Sequence, residues 1–218
     1  MLFAFMGFFD TPDWYLQSGN LILLLIGGCS LVSLTIFIER LIHIKKAESD
    51  NDELLLSLRK HIEDGNHTEA IRACEEIGGA VSRILQIGLA RHHQKRDRIE
   101  NSMQIKGLSE IASLEKNAKI LSIIATLCPL LGLLGTVMGF IHAFAEMRLS
   151  GLTDISTSHI GEALEYALIT TAAGLVVAIP TIIAYNYIVS RIESLVLEMQ
   201  ITSSEIVDLI EHQQDDAF

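Results

Sequence analysis

Three stretches of this 218-residue chain are apolar for long enough to cross a lipid bilayer, and an amphipathic block separates the first from the other two. Leu21–Ile38, reading LILLLIGGCSLVSLTIFI, runs about 18 residues without a charge, just long enough to cross. Ile120–Ala145 and Ala167–Ser190 run about 26 and 24 residues with no acid or base deep inside. At ~1.5 Å of rise per helical residue, these exceed a ~30 Å hydrocarbon core. Between the first and second stretches the period becomes that of an amphipathic helix: Leu54, Leu55, Leu58 and Ile62 recur at helical spacing. GNHTEAIRACEE then opens a second short helix with Asn66 or Thr68 placed as its cap, Gly78 and Gly79 punctuate, and Val81–Ala90 resumes. The stretch 99–118 has no proline and only Gly107 as a weak point, which predicts that it runs directly into the second span. After the third span, Ile188, Ile192, Leu195, Val196, Met199, Ile206 and Ile210 form a stripe flanked by acids and Arg191. That stripe needs cover, from the 99–118 helix or from a neighbouring subunit. Residues 213–218 are expected to be disordered.

The pattern predicts an all-α integral membrane protein with three transmembrane helices, the second and third extended into the cytoplasm. The expected segments are an amphipathic outward-facing stretch 1–19, a first span 20–42, a cytoplasmic helical region 43–119 and a second span 120–145. An outward-facing loop 146–161, a third span 162–190 and a cytoplasmic helix and tail 191–218 follow. Charge sets this orientation: fourteen of the sixteen Lys and Arg residues fall between Arg40 and Lys119. Basic residues beside a span stay cytoplasmic, so Arg40, Lys45, Lys46, Lys116 and Lys119 place that block inside. The first twenty residues lack the basic start of a signal peptide, and the MLFAFMGFF run is expected to be retained at the outer interface.

Composition narrows the function. A net charge of −11 argues against nucleic acid and against a polybasic lipid-binding surface, although lipid itself must surround the spans. No phosphate loop, HExxH or nucleophile elbow occurs, so neither enzyme activity nor a cofactor is expected. Cys29, Cys74 and Cys128 lack metal-ligand spacing and imply neither a metal nor a disulfide framework. His92 and His93, beside Arg91, Lys95 and Arg96, read as a solvated basic patch, since adjacent residues on a helix diverge.

The second and third spans are not ordinary anchors. The second carries Pro129, Gly132, Gly135, Thr136 and Gly139, and the third carries Thr170, Thr171, Gly174 and Pro180. Small residues let helix backbones approach closely, so these spans are expected to pack on other helices, with Pro180 free to bend the third. The threonine hydroxyls either bond back to their own helices or line a narrow hydrated path. A hydroxyl relays a proton but does not store its charge near neutral pH; an intramembrane carboxylate does that. None is central here, because Glu39, Glu162 and Glu165 all lie at span ends. If protons cross, the titrating acid must come from another chain.

LCPLLGLLGTVMGF, followed about 30 residues later by YALITTAAGLVVAIPTIIAYN, resembles the MotA/TolQ/ExbB proton channel family, most closely its ExbB-like members. ERL at Glu39–Leu41 fits as well. The agreement is dense over roughly 120–187, and the three-span plan extends it to the whole chain. The resemblance implies a homopentamer of helical subunits with the second and third spans lining a central pore. A dimer of a single-span ExbD/TolR-like partner would sit inside and supply a membrane aspartate. Carried over by position, Thr136 and Thr171 match the family's pore threonines, and Thr170 is the extra hydroxyl of the TTA form. Where many ExbB-like chains have a glutamate five residues before the third-span threonine, this one has Tyr166, with Glu165 about 100° away. Glu165 then serves after a small rotation, Tyr166 supplies a hydroxyl, or the partner acid acts alone. On the plainest reading, Glu162 and Glu165 simply start the helix at its positive dipole end.

The function implied is a stator-like proton-channel subunit of an inner-membrane motor. It would energise outer-membrane transport through a TonB-like protein. A TolQ-like envelope motor and a non-conducting scaffold are the alternatives, and sodium is a lesser alternative to the proton.

Overall fold

The computed structural model describes residues 20–48, 51–63, 65–150 and 157–216. The N-terminal stretch expected at the outer interface and the centre of the 146–161 loop lie outside the described residues. Seven helices account for nearly all the rest: α1 Asn20–Ala47, α2 Asn51–Glu63, α3 His67–Ile77, α4 Gly79–Ala90, α5 Arg96–Glu115, α6 Ala118–Ser150 and α7 Thr157–Asp216. No strand occurs among the described residues. Three helical stretches, within Leu21–Ala47, Arg96–Ala145 and Ile160–Gln213, are long and apolar enough to cross a membrane. The protein is thus all-α with three transmembrane helices.

The chain divides into two compact units, one of residues up to Ile36 with Ile120–Tyr185, the other of Phe37–Lys119 with Asn186–Phe218. In the first, the core is narrow: Ile26 meets Ile124, Cys128, Ala173, Val177 and Ala178. Large apolar side chains face outward instead, with Leu168 70%, Ile183 66%, Phe144 64% and Leu133 59% exposed. Such a surface is unfavourable in water and suits lipid or neighbouring helices. A polar contact also ties α1 to α7, where the Ser33 and Thr181 hydroxyls lie 3.1 Å apart. Thr181 is buried, and its hydroxyl also reaches the Val177 carbonyl at 2.8 Å.

The second unit is a conventional packed core. Leu58, Ile62, Leu85, Leu89, Ile206 and Ile210 are almost fully buried. The chain reverses between α3 and α4 at Gly78 and Gly79, whose φ values of 70° and 90° favour glycine. Asn66 sits at the N-cap of α3 but makes no side-chain capping bond. The apolar stripe of α7 is covered within this unit, and its polar flanks are tied down by ion pairs. Arg59 of α2 meets Glu205 at 2.6 Å, and Arg191 meets Glu48 at 2.8 Å. Arg96 of α5 is paired with Glu211, with Asp208 at 2.8 Å and with Glu100 at 2.8 Å. Their hydrogen bonds raise the guanidinium's pKa further above its ordinary value.

Three local expectations change. The stretch 99–118 does not run unbroken into the second span: a turn at Lys116–Asn117 separates α5 from α6, with Asn117 at φ 65°. Asparagine tolerates the left-handed region better than most residues, a signal that helical periodicity does not register. The joint is held by the ERL segment, where Arg40, only 4% exposed, donates to the carbonyls of Ser113 at 3.2 Å and Leu114 at 3.4 Å. Glu39 pairs with Arg40 at 2.9 Å and accepts from Asn117 Nδ2 at 3.4 Å. Second, α7 continues to Asp216, past the point where disorder was expected. Third, His92 is not part of a solvated patch. It lies in the turn after α4, half-buried, with its ring stacked 3.9 Å from that of His67.

Candidate functional site at the crossing of two spans

Helices α6 and α7 meet along a seam of small residues that the sequence places at three- and four-residue intervals on both. Going down α6, Gly139 faces Ala163 and Ala167, Gly135 faces Thr170, Gly132 faces Thr171, and Cys128 faces Gly174. The order on α7 is reversed, as antiparallel helices require. The backbones are close enough to exclude side chains. A Cβ added at Gly174 would lie 2.6 Å from the Cys128 carbonyl oxygen, and one at Gly139 would lie 2.6 Å from Ala167 Cβ and 2.8 Å from the Ala163 oxygen. At Gly132 the nearest backbone atoms are the Thr171 Cα at 3.0 Å and the Thr170 oxygen at 3.2 Å. Glycine is required here for proximity, not for an unusual φ.

The three threonines have different environments. Thr170 is fully buried; its Cβ occupies the space that a side chain at Gly135 would need, 2.6 Å away, and its hydroxyl reaches the Ala167 carbonyl at 2.9 Å. Thr171, one residue and about 100° further round the helix, is half-buried and points its hydroxyl across the seam. It lies 3.0 Å from the Gly132 carbonyl of α6 and 3.2 Å from the Ala167 carbonyl of its own helix. Thr136 is half-buried and donates to Leu133 at 2.6 Å, three residues back in α6. The structure therefore brings Thr170 and Thr171 onto the glycine seam and leaves the Thr136 hydroxyl on its own helix.

Each hydroxyl spends its one proton on a carbonyl and keeps lone pairs that can accept. Carbonyl acceptance at Thr171 is shared between two helices, so its proton can shift between them without leaving the hydrogen-bonded state. That suits a group that solvates or relays a proton beside an acid carried by something else. Pro129 lies in α6 one residue after Cys128, and Pro180 lies in α7 just before the buried Thr181. Each proline lacks the N–H that would close a bond one turn earlier, which frees a carbonyl of its own helix.

At the other end of α7, Tyr166 is buried and Glu165 exposed. The helix begins at Thr157 and has no acid in its first turn, so Glu162 and Glu165 lie beyond that turn. His142, an exposed imidazole three residues beyond Gly139, shares this end of α6 and was not singled out by sequence reasoning. Neither periodicity nor spacing distinguishes it. The Ser33–Thr181 contact was also missed, because residues 148 apart in sequence carry no local signal of proximity. Among the described residues, no cluster of three or more His, Cys, Asp or Glu could hold a metal ion.

Residues 76–201 match the MotA/TolQ/ExbB proton channel family. The chain is 27% identical over 187 residues to a putative biopolymer transport protein ExbB homolog of Methanothermobacter thermautotrophicus, covering 85% of this chain and 66% of that one. It is 38% identical over 100 residues to the Tol-Pal system protein TolQ of Haemophilus influenzae, covering 44% of this chain and 43% of that one. It is 47% identical over 78 residues to the biopolymer transport protein ExbB of Helicobacter pylori, covering 36% of this chain and 52% of that one. The matched parts therefore span 43% to 66% of these relatives' own lengths. With the family match extending over more than half of its residues and including both glycine-seam spans, this chain belongs to the MotA/TolQ/ExbB proton channel family.

Proposed function

We propose that the protein is the stator-like channel subunit of a proton-driven motor in the bacterial inner membrane, with its N-terminus periplasmic and its C-terminus cytoplasmic. Five copies enclose a pore lined by α6 and α7, occupied by a dimer of an ExbD/TolR-like single-span protein. The observation that carries this reading is the Thr171 hydroxyl, which bridges α7 to the Gly132 carbonyl of α6 inside a stretch that contains no acid of its own. A proton held by the partner's membrane aspartate would be solvated there, and its release would change the fit between partner and pentamer. Thr136 lines the path, Thr170 holds the seam, and Tyr166 or Glu165 serves the outer mouth. The work reaches a TonB-like protein and so energises outer-membrane transport.

Similarity to TolQ supports the neighbouring reading, an envelope-integrity motor with the same chemistry. The buried, self-bonded Thr170 favours the scaffold reading for that residue alone. The test is proton flux into proteoliposomes containing this chain and its single-span partner, comparing wild type with Thr171→Val and with the partner's membrane Asp→Asn. Loss of flux in both, with assembly intact, supports the motor; undiminished flux in both leaves a scaffold and refutes it.

A further inference from the structure

We propose that successive copies of this chain lock together in the second unit through two different faces, the Ile105–Leu108 face of α5 on one copy and the Leu197–Ile201 face of α7 on the next. The inference rests on the reading of several copies round one pore, and adds which surfaces meet. Ile105, Leu108, Leu197 and Ile201 lie beyond the spans, yet each is between 58% and 63% exposed. They stand in two stripes at helical spacing, Arg98, Ile105, Leu108 and Ala112 on α5 and Ser194, Leu197, Ile201 and Asp208 on α7, and every member is exposed. At about 100° per residue, each stripe falls opposite the buried side of its own helix. That buried side is Ile99, Met103 and Leu114 on α5, and Leu195, Met199 and Ile206 on α7. The single chain leaves both stripes uncovered.

Register and charge select a second copy as the occupant. Arg96, at the start of α5, pairs with Asp208 and Glu211 near the end of α7. Arg40 of α1 holds the other end of α5, and Glu48, further along α1, holds Arg191 of α7. The two helices thus run antiparallel, and with equal rise per residue Ile105 is level with Ile201 and Leu108 with Leu197. Rotation about an axis along these helices keeps every residue at its own height. In a ring, the α5 stripe of one copy therefore meets the α7 stripe of the next in register, as two complementary faces require. The steps match when read in opposite directions: seven, three and four residues from Arg98 to Ala112, and seven, four and three from Asp208 to Ser194. Apolar pairs meet in the middle, and Arg98 lies opposite Asp208 at one end. Arg98 makes no ion pair within its own chain among the described residues. Asp208 bonds Arg96 through Oδ1, and its carboxylate has capacity for a second donor.

The experiment co-expresses two differently tagged full-length copies, one with Ile105→Cys and one with Ile201→Cys, and treats the membranes with a short bismaleimide. A cross-linked dimer carrying both tags is expected, and Leu108→Cys with Leu197→Cys gives a second pair. One chain carrying both Ile105→Cys and Ile201→Cys is expected to give a ladder of multimers. Wild type, whose cysteines are buried or half-buried, is the blank. Arg98→Glu in the first copy should cut the mixed dimer about two- to fivefold, the size of one exposed ion pair; an unchanged yield would refute the register. Dimers formed by either single variant with itself, or a double variant that stays monomeric, would overturn the proposal. Native mass separates this inference from the pore reading. An oligomer without the 105–201 link refutes these faces and leaves the ring, whereas the link without proton flux keeps the faces and refutes the channel.

Discussion

The closeness of α6 and α7 makes a graded demand on glycine that substitution can measure. In Gly174→Ala the new methyl would lie 2.6 Å from the Cys128 carbonyl oxygen, 0.8 Å inside the 3.4 Å at which ordinary contact begins. The obstructing atom belongs to a helix backbone, so relief requires the helices to separate by most of that distance. Separation also stretches the 3.0 Å bond from Thr171 to Gly132. Overpacking of this kind costs ~1–3 kcal/mol, and a lost hydrogen bond adds about 1 kcal/mol. Alanine returns at most ~1 kcal/mol of helix propensity. The net expectation is destabilisation of roughly 1–3 kcal/mol, combining those same contributions.

The control is Gly28→Ala, where an added Cβ meets nothing within 4 Å. That substitution keeps the propensity gain without the clash and is expected to be neutral or stabilising by up to ~1 kcal/mol. Gly132→Ala should fall between them, since its nearest backbone atom is 3.0 Å away. The assay is SDS-induced unfolding from mixed micelles, followed by helical circular dichroism, with the midpoints of the three variants compared with wild type. If Gly174→Ala proves as stable as Gly28→Ala, the helices do not approach as described and the close-packed seam is wrong.

Further expectations concern the joint, the histidine stack and the threonine pair. Arg40→Ala removes the donor to Ser113 and Leu114 at the end of α5; with hydrogen bonds from charged groups contributing ~1.5–3 kcal/mol each, a loss of about 3 kcal/mol is expected, read as faster proteolysis around Lys116. His67 has its pKa lowered from 6.5, first by burial and then by the neighbouring His92. Its neutral form therefore stabilises the fold above about pH 6.5, and that stability is lost as pH falls through the lower folded value. Hydrogen exchange of α3 should accelerate over that window in wild type and stay level in His67→Phe. Thr170→Val should keep the fold within ~1 kcal/mol, because valine matches its shape and only a bond within its own helix is lost. Its proton flux should exceed that of Thr171→Val, and equal flux would count against separate roles for the two residues.

The three spans could be read from sequence because each is a long uninterrupted apolar run, a signal that needs no knowledge of neighbours. The seam could be read for a related reason: Gly132, Gly135, Gly139 and Gly174 are costly in a helix unless another backbone lies against them. Features made by long-range closure could not. Arg40 reaches carbonyls more than seventy positions away, and His67 stacks on a ring in a different turn. The break at Lys116–Asn117 was hidden because one residue with positive φ hardly disturbs the apolar periodicity on either side. Hydrophobic pattern reports which face is buried, whereas these contacts depend on how separate helices close on one another.

The threonine pair separates what a sequence motif carries from what rotation round a helix adds. Thr170 and Thr171 are adjacent, chemically identical and flanked by the same small residues, so composition assigns them one role. A step of about 100° round the helix separates them. That rotation puts one methyl-bearing Cβ into the hollow at Gly135, where shape decides its identity. The other hydroxyl reaches a carbonyl of the facing span, where hydrogen-bonding capacity decides. Valine can replace the first function and not the second. On the proposed reading, a proton path through this crossing would depend on Thr171 and its width on Thr170 and the glycines, with the acid that carries the charge supplied by another chain.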